Sequence, residues 1–170
     1  MQGVPVYNAD EEAKKLMYDD GVKNELVASF GNIYNEAGEL ERQALAEKVF
    51  NNPSELQKLN SIVHPHVIRH YQRWETKQEA PFILRESAIL FESGTNAGLD
   101  KVITVTAPVE LRIKRAMLRD NRNEEQVKAI ISRQTSDEEK ISKSDFVIIN
   151  DEKSAVLPQI WELIRILNNG

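Results

Sequence analysis

Short apolar runs rich in β-branched residues alternate with longer stretches of helical periodicity along this chain. The run Gly3–Tyr7 is typical of a strand, and acidic residues after Asn8-Ala9-Asp10 begin a helical pattern. The pattern stays helical to about residue 78. It predicts three further helices, the last with a break or kink at Pro65, over Val22–Phe30, Glu41–Phe50 and Ser54–Trp74.

Strand-like runs return in the second half of the chain, and helical patterns separate them. The runs have the content of strands buried in a parallel sheet, and they cover Phe82–Leu90, Lys101–Thr106 and Asp145–Ile149. The helical patterns lie at 108–122, 124–134 and 155–167. This alternation predicts a three-layer α/β fold, in which helices cover both faces of an open parallel sheet.

Three parts are predicted within one compact domain. Residues 1–10, 79–111 and 143–170 would form the core around the sheet. The helical block 11–78 is too long for a simple crossover connection, which favours an insertion that covers a substrate. The helix pair within 112–142 lies between two strands, where a lid would sit in such folds.

Charge and composition narrow the classes of function. The formal net charge of -5 argues against broad nucleic-acid binding, which usually needs an excess of Lys and Arg on one face. The chain has no cysteine, so disulfides and cysteine-ligated metal sites are excluded. No apolar run approaches the ~20 residues that a membrane span requires. We therefore expect a soluble, cytoplasmic protein without nucleic-acid or membrane partners, and the oligomeric state stays open.

Asp10 follows the first predicted strand, at the edge of an open α/β sheet where ligands bind. A carboxylate at this place can orient or deprotonate an attacking hydroxyl group, or help to hold magnesium. Asp is also a good helix N-cap residue, and the two roles are compatible. Asp10 is therefore our candidate catalytic residue.

A row of four arginines follows the strand that ends near Thr106. Their spacing of three or four residues puts them on one helix face, where like charges repel unless an anion joins them. Guanidinium groups suit phosphate oxygens, so the row predicts a phosphate site, with a solvated helix face as the alternative. The four residues are Arg112, Arg115, Arg119 and Arg122.

Two further polar residues follow predicted strands. Glu92 comes directly after Ile89-Leu90-Phe91, and Asn150 follows the last strand, close to where a nucleotide base would lie. The alternatives are a simple surface charge for Glu92 and turn chemistry for Asn150. Each is a candidate for ligand contact on the basis of its place at the sheet edge.

Three histidines lie close together in the helical block. Pro65 disrupts the spacing between His64 and His66, and no His-Glu-x-x-His pattern is present near His70. We therefore predict no metal site formed by protein side chains. His64 alone remains a candidate for contact with a ligand.

Together these segments resemble the dephospho-coenzyme A kinase family over nearly the whole chain. Each segment is weak singly, but their order and spacing are specific. The segments are Val4 to Asp10, Leu59 to Pro65, Ile89 to Glu92, Arg115 to Arg119 with Gln134 downstream, and Asp145 to Asn150. The resemblance implies a P-loop kinase of the nucleoside-monophosphate-kinase type that phosphorylates the ribose 3′-hydroxyl of dephospho-coenzyme A with ATP and Mg²⁺.

The resemblance also implies a role for each candidate residue. Asp10 would be the active-site aspartate, and the block 11–78 would bind the acceptor, with His64 and Glu92 near it. Arg115 and Arg119 would be lid arginines that close on phosphates, and Asn150 would lie near the adenine of ATP. The family commonly has Asp where Asn8 stands and Pro where Ala88 stands.

The largest departure from the family is the missing glycine-rich loop. No Gly-x-x-x-x-Gly-Lys-[Ser/Thr] stretch occurs, because Gly94–Gly98 lacks the lysine and Lys143-Ser144 lacks the glycines. The strand, loop and helix that family members place before the first strand are missing too. We therefore expect a truncated chain or a misplaced start codon, little or no kinase activity from these residues alone, and a sheet that lacks a central strand.

Two other functions are compatible with the sequence. One is a non-catalytic relative that binds coenzyme A or a nucleotide without transferring phosphate. The other is a different small-molecule kinase of the same fold, with another acceptor.

Overall fold

A computed structural model describes residues 3–50 and 52–169. Contacts within the chain divide it into two compact units, Met1–Ala88 and Ile89–Gly170. The predicted α/β class is confirmed: the described residues form eight helices and four strands, and the strands pair in parallel. The strands form two separate pairs in the described part of the chain. The division into core, insertion and lid stays a prediction.

The first unit begins with a strand that runs directly into a helix. This strand, β1 (Val6–Asn8), is parallel to the last strand of the unit, β2 (Leu84–Glu86), with Tyr7 opposite Arg85. Four helices lie between the two strands. The elements are β1 (Val6–Asn8), α1 (Ala9–Leu16), α2 (Asp20–Phe30), α3 (Arg42–Phe50), α4 (Pro53–Glu75) and β2 (Leu84–Glu86).

The core of the first unit forms between α2, α4 and β1. Buried residues recur every four positions on α2 and on α4, so each helix turns one apolar stripe toward the same cluster. The same cluster also contains Tyr7 of β1, Ala9 of α1, Ile33, Tyr34, and Leu45 of α3. The stripes consist of Val22, Leu26 and Phe30 on α2, and Val63, Val67 and Tyr71 on α4.

Of the break or kink predicted at Pro65, the break is wrong, because helix α4 continues through this residue. Proline removes one backbone hydrogen bond from a helix and usually interrupts it. Here Val63 and Val67, on either side of the proline, are both buried in one core. Burial of the stripe therefore outweighs the local preference, and the proline ring lies on the exposed side.

The second unit contains the other parallel pair of strands, β3 (Ile103–Thr106) and β4 (Phe146–Ile149). Thr104 of β3 lies opposite Val147 of β4. Three helices connect the two strands and a fourth ends the unit. The elements are β3 (Ile103–Thr106), α5 (Val109–Asp120), α6 (Glu124–Ile131), α7 (Asp137–Ser142), β4 (Phe146–Ile149) and α8 (Val156–Asn169).

The predicted strand Phe82–Leu90 is too long, because β2 ends at Glu86 and turns occupy residues 88–98. The hydroxyl group of Ser93 donates to the carbonyl oxygen of Ile89 at 2.7 Å, and Gly94 has a φ of +67°. These local bonds satisfy backbone groups that a strand would have paired. Glu92 therefore lies in a turn, and its predicted place at a strand end is wrong.

The short helix α7 was not predicted as a separate element. Its N-cap, Ser136, accepts a hydrogen bond from the backbone N–H of Glu139 at 3.2 Å. The Ser-x-x-Glu spacing is a known start signal for a helix and could have identified it.

None of the helices in the described part of the chain has the length and apolar character needed to cross a bilayer. The cytoplasmic location and the absence of nucleic-acid partners stay predictions.

Candidate functional site

Asp10 lies in the first turn of α1, directly after β1. The side chain of Asn8 caps this helix by accepting a hydrogen bond from the N–H of Glu11 at 2.9 Å. The capping role considered for Asp10 is therefore filled by Asn8. The carboxylate of Asp10 is partly exposed at the positive end of the helix dipole, and it makes no hydrogen bond or ion pair with any other residue that the structure describes.

Tyr7 attaches β1 to α4 through its hydroxyl group. Tyr7 is only 2% exposed, and its hydroxyl donates to the carbonyl oxygen of Val67 at 3.3 Å and lies 3.0 Å from Nδ1 of His70. Burial, assisted by the charge of Glu12, raises the pKa of Tyr7 to about 12, so the phenol stays protonated. This contact joins the strand before Asp10 to α4, and no motif in the sequence indicated it.

His64 lies one turn before Val67 on α4 and is half-buried. Burial lowers the pKa of His64, so its imidazole is neutral at pH 7. It has no hydrogen-bond partner among the described residues, and a neutral imidazole can donate at one nitrogen and accept at the other.

The other two histidines have partners of their own. Nε2 of His66 lies 3.0 Å from the carboxylate of Glu25, and His70 meets Tyr7. Within residues 3–50 and 52–169, no three His, Asp or Glu side chains gather as a metal site.

Arg115 and Asn150 come together in the second unit. One guanidinium nitrogen of Arg115 donates to the backbone carbonyl oxygen of Asn150 at 3.0 Å, and another lies 3.5 Å from its side-chain oxygen. The same guanidinium pairs with Glu152 at 3.2 Å. Helix α5 thus brings one predicted phosphate ligand to the end of β4, where the predicted adenine contact lies.

The four arginines do not form one uniform surface. Arg112 donates to the carbonyl oxygen of Ala107 at 3.1 Å and pairs with Asp137 at 2.9 Å, so it connects the starts of α5 and α7. The side chain of Arg119 is 77% exposed and makes two hydrogen bonds to Asp120, the next residue. Arg119 extends into solvent, whereas Arg112 is part of the scaffold.

Glu92 contacts the connection between α6 and α7. Its carboxylate accepts a hydrogen bond from the backbone N–H of Thr135. Burial alone would raise the pKa of Glu92, but the hydrogen bond from Thr135 and the charge of Lys140 outweigh it and hold the pKa below its usual value. The side chain is therefore ionised at neutral pH and has a structural partner that the sequence did not indicate.

Comparison with known proteins identifies the family to which this chain is related. A family model described as Dephospho-CoA kinase matches residues 1–155. A protein from Bacteroides fragilis named Dephospho-CoA kinase is 42% identical over 169 residues, covering 98% of this chain and 82% of the relative.

Two solved structures are similar to this chain over nearly its whole length, and one of them is named a dephospho-CoA kinase. A crystal structure of a Thermus thermophilus protein matches with a TM-score of 0.83 and 30% identity, over 98% of this chain and 84% of that protein. The dephospho-CoA kinase from Campylobacter jejuni matches with a TM-score of 0.62 and 29% identity, with the same coverage. The predicted resemblance is therefore confirmed, and the chain belongs to the dephospho-CoA kinase family.

Proposed function

We propose that this protein is a dephospho-CoA kinase, which transfers the γ-phosphoryl group of ATP to the ribose 3′-hydroxyl of dephospho-CoA. Membership of the family is the observation that carries the proposal. It is supported by the carboxylate of Asp10, which follows a parallel strand and has no partner among the described residues. Such a carboxylate is available to a hydroxyl group of a substrate.

In this reaction Asp10 orients the 3′-hydroxyl and receives its proton as the oxygen attacks the γ-phosphorus. The bond from the γ-phosphorus to the bridging oxygen breaks, and ADP leaves. Phosphoryl transfer depends mostly on positioning and on charge stabilisation, so one correctly placed carboxylate has a large effect. The neutral imidazole of His64 contributes a hydrogen bond to the acceptor.

Arg115 and Asn150 contribute to ATP binding. Arg119 contacts phosphate when the predicted lid, residues 112–142, closes over the nucleotide. The contact between Arg115 and Asn150 supports a shared ligand, because it holds a guanidinium group suited to phosphate beside an amide at the end of β4. The side chain of Arg119 is 77% exposed, and a phosphate would replace its hydrogen bonds to Asp120.

Magnesium would accompany ATP in this proposal, with a carboxylate of the protein among its ligands. Mg²⁺ is usually held by one or two carboxylates together with substrate phosphates, and Asp10, which otherwise serves the 3′-hydroxyl, is one carboxylate that would be near the ion. The ion would neutralise charge on the β- and γ-phosphates.

The function is tested by incubating the protein with ATP, Mg²⁺ and dephospho-CoA and measuring coenzyme A. Two forms are assayed, the 170-residue chain and the chain extended at its N-terminus by a strand and a glycine-rich loop. The form that produces coenzyme A is called the active form below. Formation of coenzyme A by the extended form is the expected result. Tight binding of coenzyme A without turnover in either form would favour a non-catalytic relative, and ATP hydrolysis that ignores dephospho-CoA would indicate another acceptor.

Replacing Arg119 by Ala in the active form is expected to lower kcat/KM for ATP by about 10–100-fold, because a guanidinium that meets phosphate oxygens is lost. Arg165→Ala is the matched control, since Arg165 is also exposed and paired with a nearby carboxylate, Glu162. The measurement is kcat/KM for ATP, obtained from steady-state kinetics of both variants at varied ATP concentration. Equal kinetics for Arg119→Ala and the unmodified enzyme would remove Arg119 from the site.

A further inference from the structure

We propose that Glu92 is a positioning residue that fastens the connection between α6 and α7 to the turn at residues 88–98, and thereby holds α5 in place for catalysis. The expected effect on turnover rests on the proposed kinase function, whereas the contact between Glu92 and Thr135 is independent of it. Glu92 acts through other residues in this proposal and touches no substrate.

The turn that carries Glu92 is held by its own hydrogen bonds. The hydroxyl group of Ser93 donates to the Ile89 carbonyl oxygen at 2.7 Å and lies 2.8 Å from the Thr95 hydroxyl. The N–H of Thr95 donates to the Leu90 carbonyl oxygen at 3.1 Å. The turn therefore presents the side chain of Glu92 from a defined backbone.

The partner of Glu92 is the backbone N–H of Thr135, in the connection between α6 and α7. The N–H of Thr135 lies outside helices α6 and α7 and donates to the Glu92 carboxylate. Lys140 attracts the same carboxylate, and its Nζ lies 3.4 Å from the side-chain oxygen of Gln134. A bond from an N–H to an ionised carboxylate is stronger than one between neutral groups.

A short series of contacts leads from Thr135 to the arginines of α5. Asp137, two residues after Thr135, accepts a hydrogen bond from the hydroxyl group of Thr106 at 2.9 Å and forms an ion pair with Arg112 at 2.9 Å. Arg112 lies one helical turn before Arg115 on α5. Because each contact joins neighbours in the chain or in space, fixing Thr135 also fixes the start of α5.

The family resemblance suggests a different role for Glu92, in which its carboxylate contacts the acceptor. The two roles differ in measurable ways. A residue that holds the lid mainly affects kcat and the exchange of the Thr135 amide, whereas an acceptor ligand mainly affects KM for dephospho-CoA.

The first test measures amide hydrogen exchange by NMR in the unmodified chain, in Glu92→Ala and in Glu92→Gln. We expect the Thr135 amide to exchange about tenfold faster or more in Glu92→Ala, since a hydrogen bond to a charged group is lost. Glu92→Gln keeps an acceptor oxygen and should give an intermediate rate. The Leu26 amide in the first unit is the internal control and should not change.

The second test compares kinetics of the same variants in the active form. We expect kcat to fall by about tenfold in Glu92→Ala, with partial recovery in Glu92→Gln and KM for dephospho-CoA within about twofold of the original. Unchanged exchange at Thr135 would overturn the proposal, as would a higher KM for dephospho-CoA at constant kcat. If the unmodified enzyme shows no kinase activity, the function fails but the exchange result still decides the contact.

Discussion

Replacing Asp10 by Asn is expected to lower kcat for coenzyme A formation by about 10²–10⁴-fold, the usual contribution of a general base. Asparagine has nearly the same shape but cannot accept the proton of the 3′-hydroxyl. Asp10 contacts no other described side chain by hydrogen bond or ion pair, so the change should leave the fold intact. The measurement is single-turnover phosphorylation of dephospho-CoA by the active form, with folding checked by circular dichroism.

Glu11→Gln is the matched control for Asp10→Asn. Glu11 is on the same first turn of α1 and pairs with Lys14 at 2.7 Å on the surface. The control removes an equal charge from the same end of the helix dipole and should change kcat by less than about twofold. If both variants lose activity equally, the charge of the helix end is responsible and Asp10 has no special role.

Replacing Leu26 by Ala is expected to lower the free energy of unfolding of the first unit by about 2–5 kcal/mol. Leu26 is 0% exposed and lies in the centre of the stripe that α2 turns toward α4. Truncation removes buried methyl groups and leaves a cavity that the neighbouring helices only partly fill. Such a loss is a large fraction of the stability of an ordinary domain.

Urea unfolding followed by tryptophan fluorescence measures this loss in the correct unit. Trp74 packs on Tyr7 and Tyr71 in the first core, whereas Trp161 is 58% exposed on α8. The substitution Trp161→Phe therefore leaves Trp74 as the reporter.

The control for Leu26→Ala is Val27→Ala, at the next position of the same helix, which is 37% exposed. We expect Val27→Ala to change the unfolding free energy by less than about 1 kcal/mol, because it removes few buried contacts. Equal losses for the two variants would contradict the assignment of Leu26 to the centre of the core.

The helices could be predicted because their signals are local. The stripe on α2 recurs every four residues, and Asn52 and Asn123 are good N-cap residues at the starts of α4 and α6. Errors occurred where short-range signals compete. The apolar run at 89–91 is typical of a strand, but the hydrogen bonds around Ser93 fold it into a turn.

The candidate site was predictable only in part. Arg115 and Asn150 were both identified, and the structure brings them together across 35 positions of the sequence. The contacts of Glu92 with Thr135 and of Tyr7 with His70 were missed. Contacts between residues far apart in the chain leave no periodic pattern in the sequence, so spacing alone does not indicate them.

The sequence by itself determined the class of the fold, the family and the polar residues that follow β1 and β4. The fold class follows from local periodicity, and the family follows from the resemblance of several ordered segments. Only the tertiary structure decided which of those residues have partners. Asp10 and His64 have no hydrogen-bond partner within the described residues, whereas Arg112 and Glu92 are bonded into the scaffold. The reason is physical: a contact depends on how separate elements pack, and packing is decided by the whole buried core.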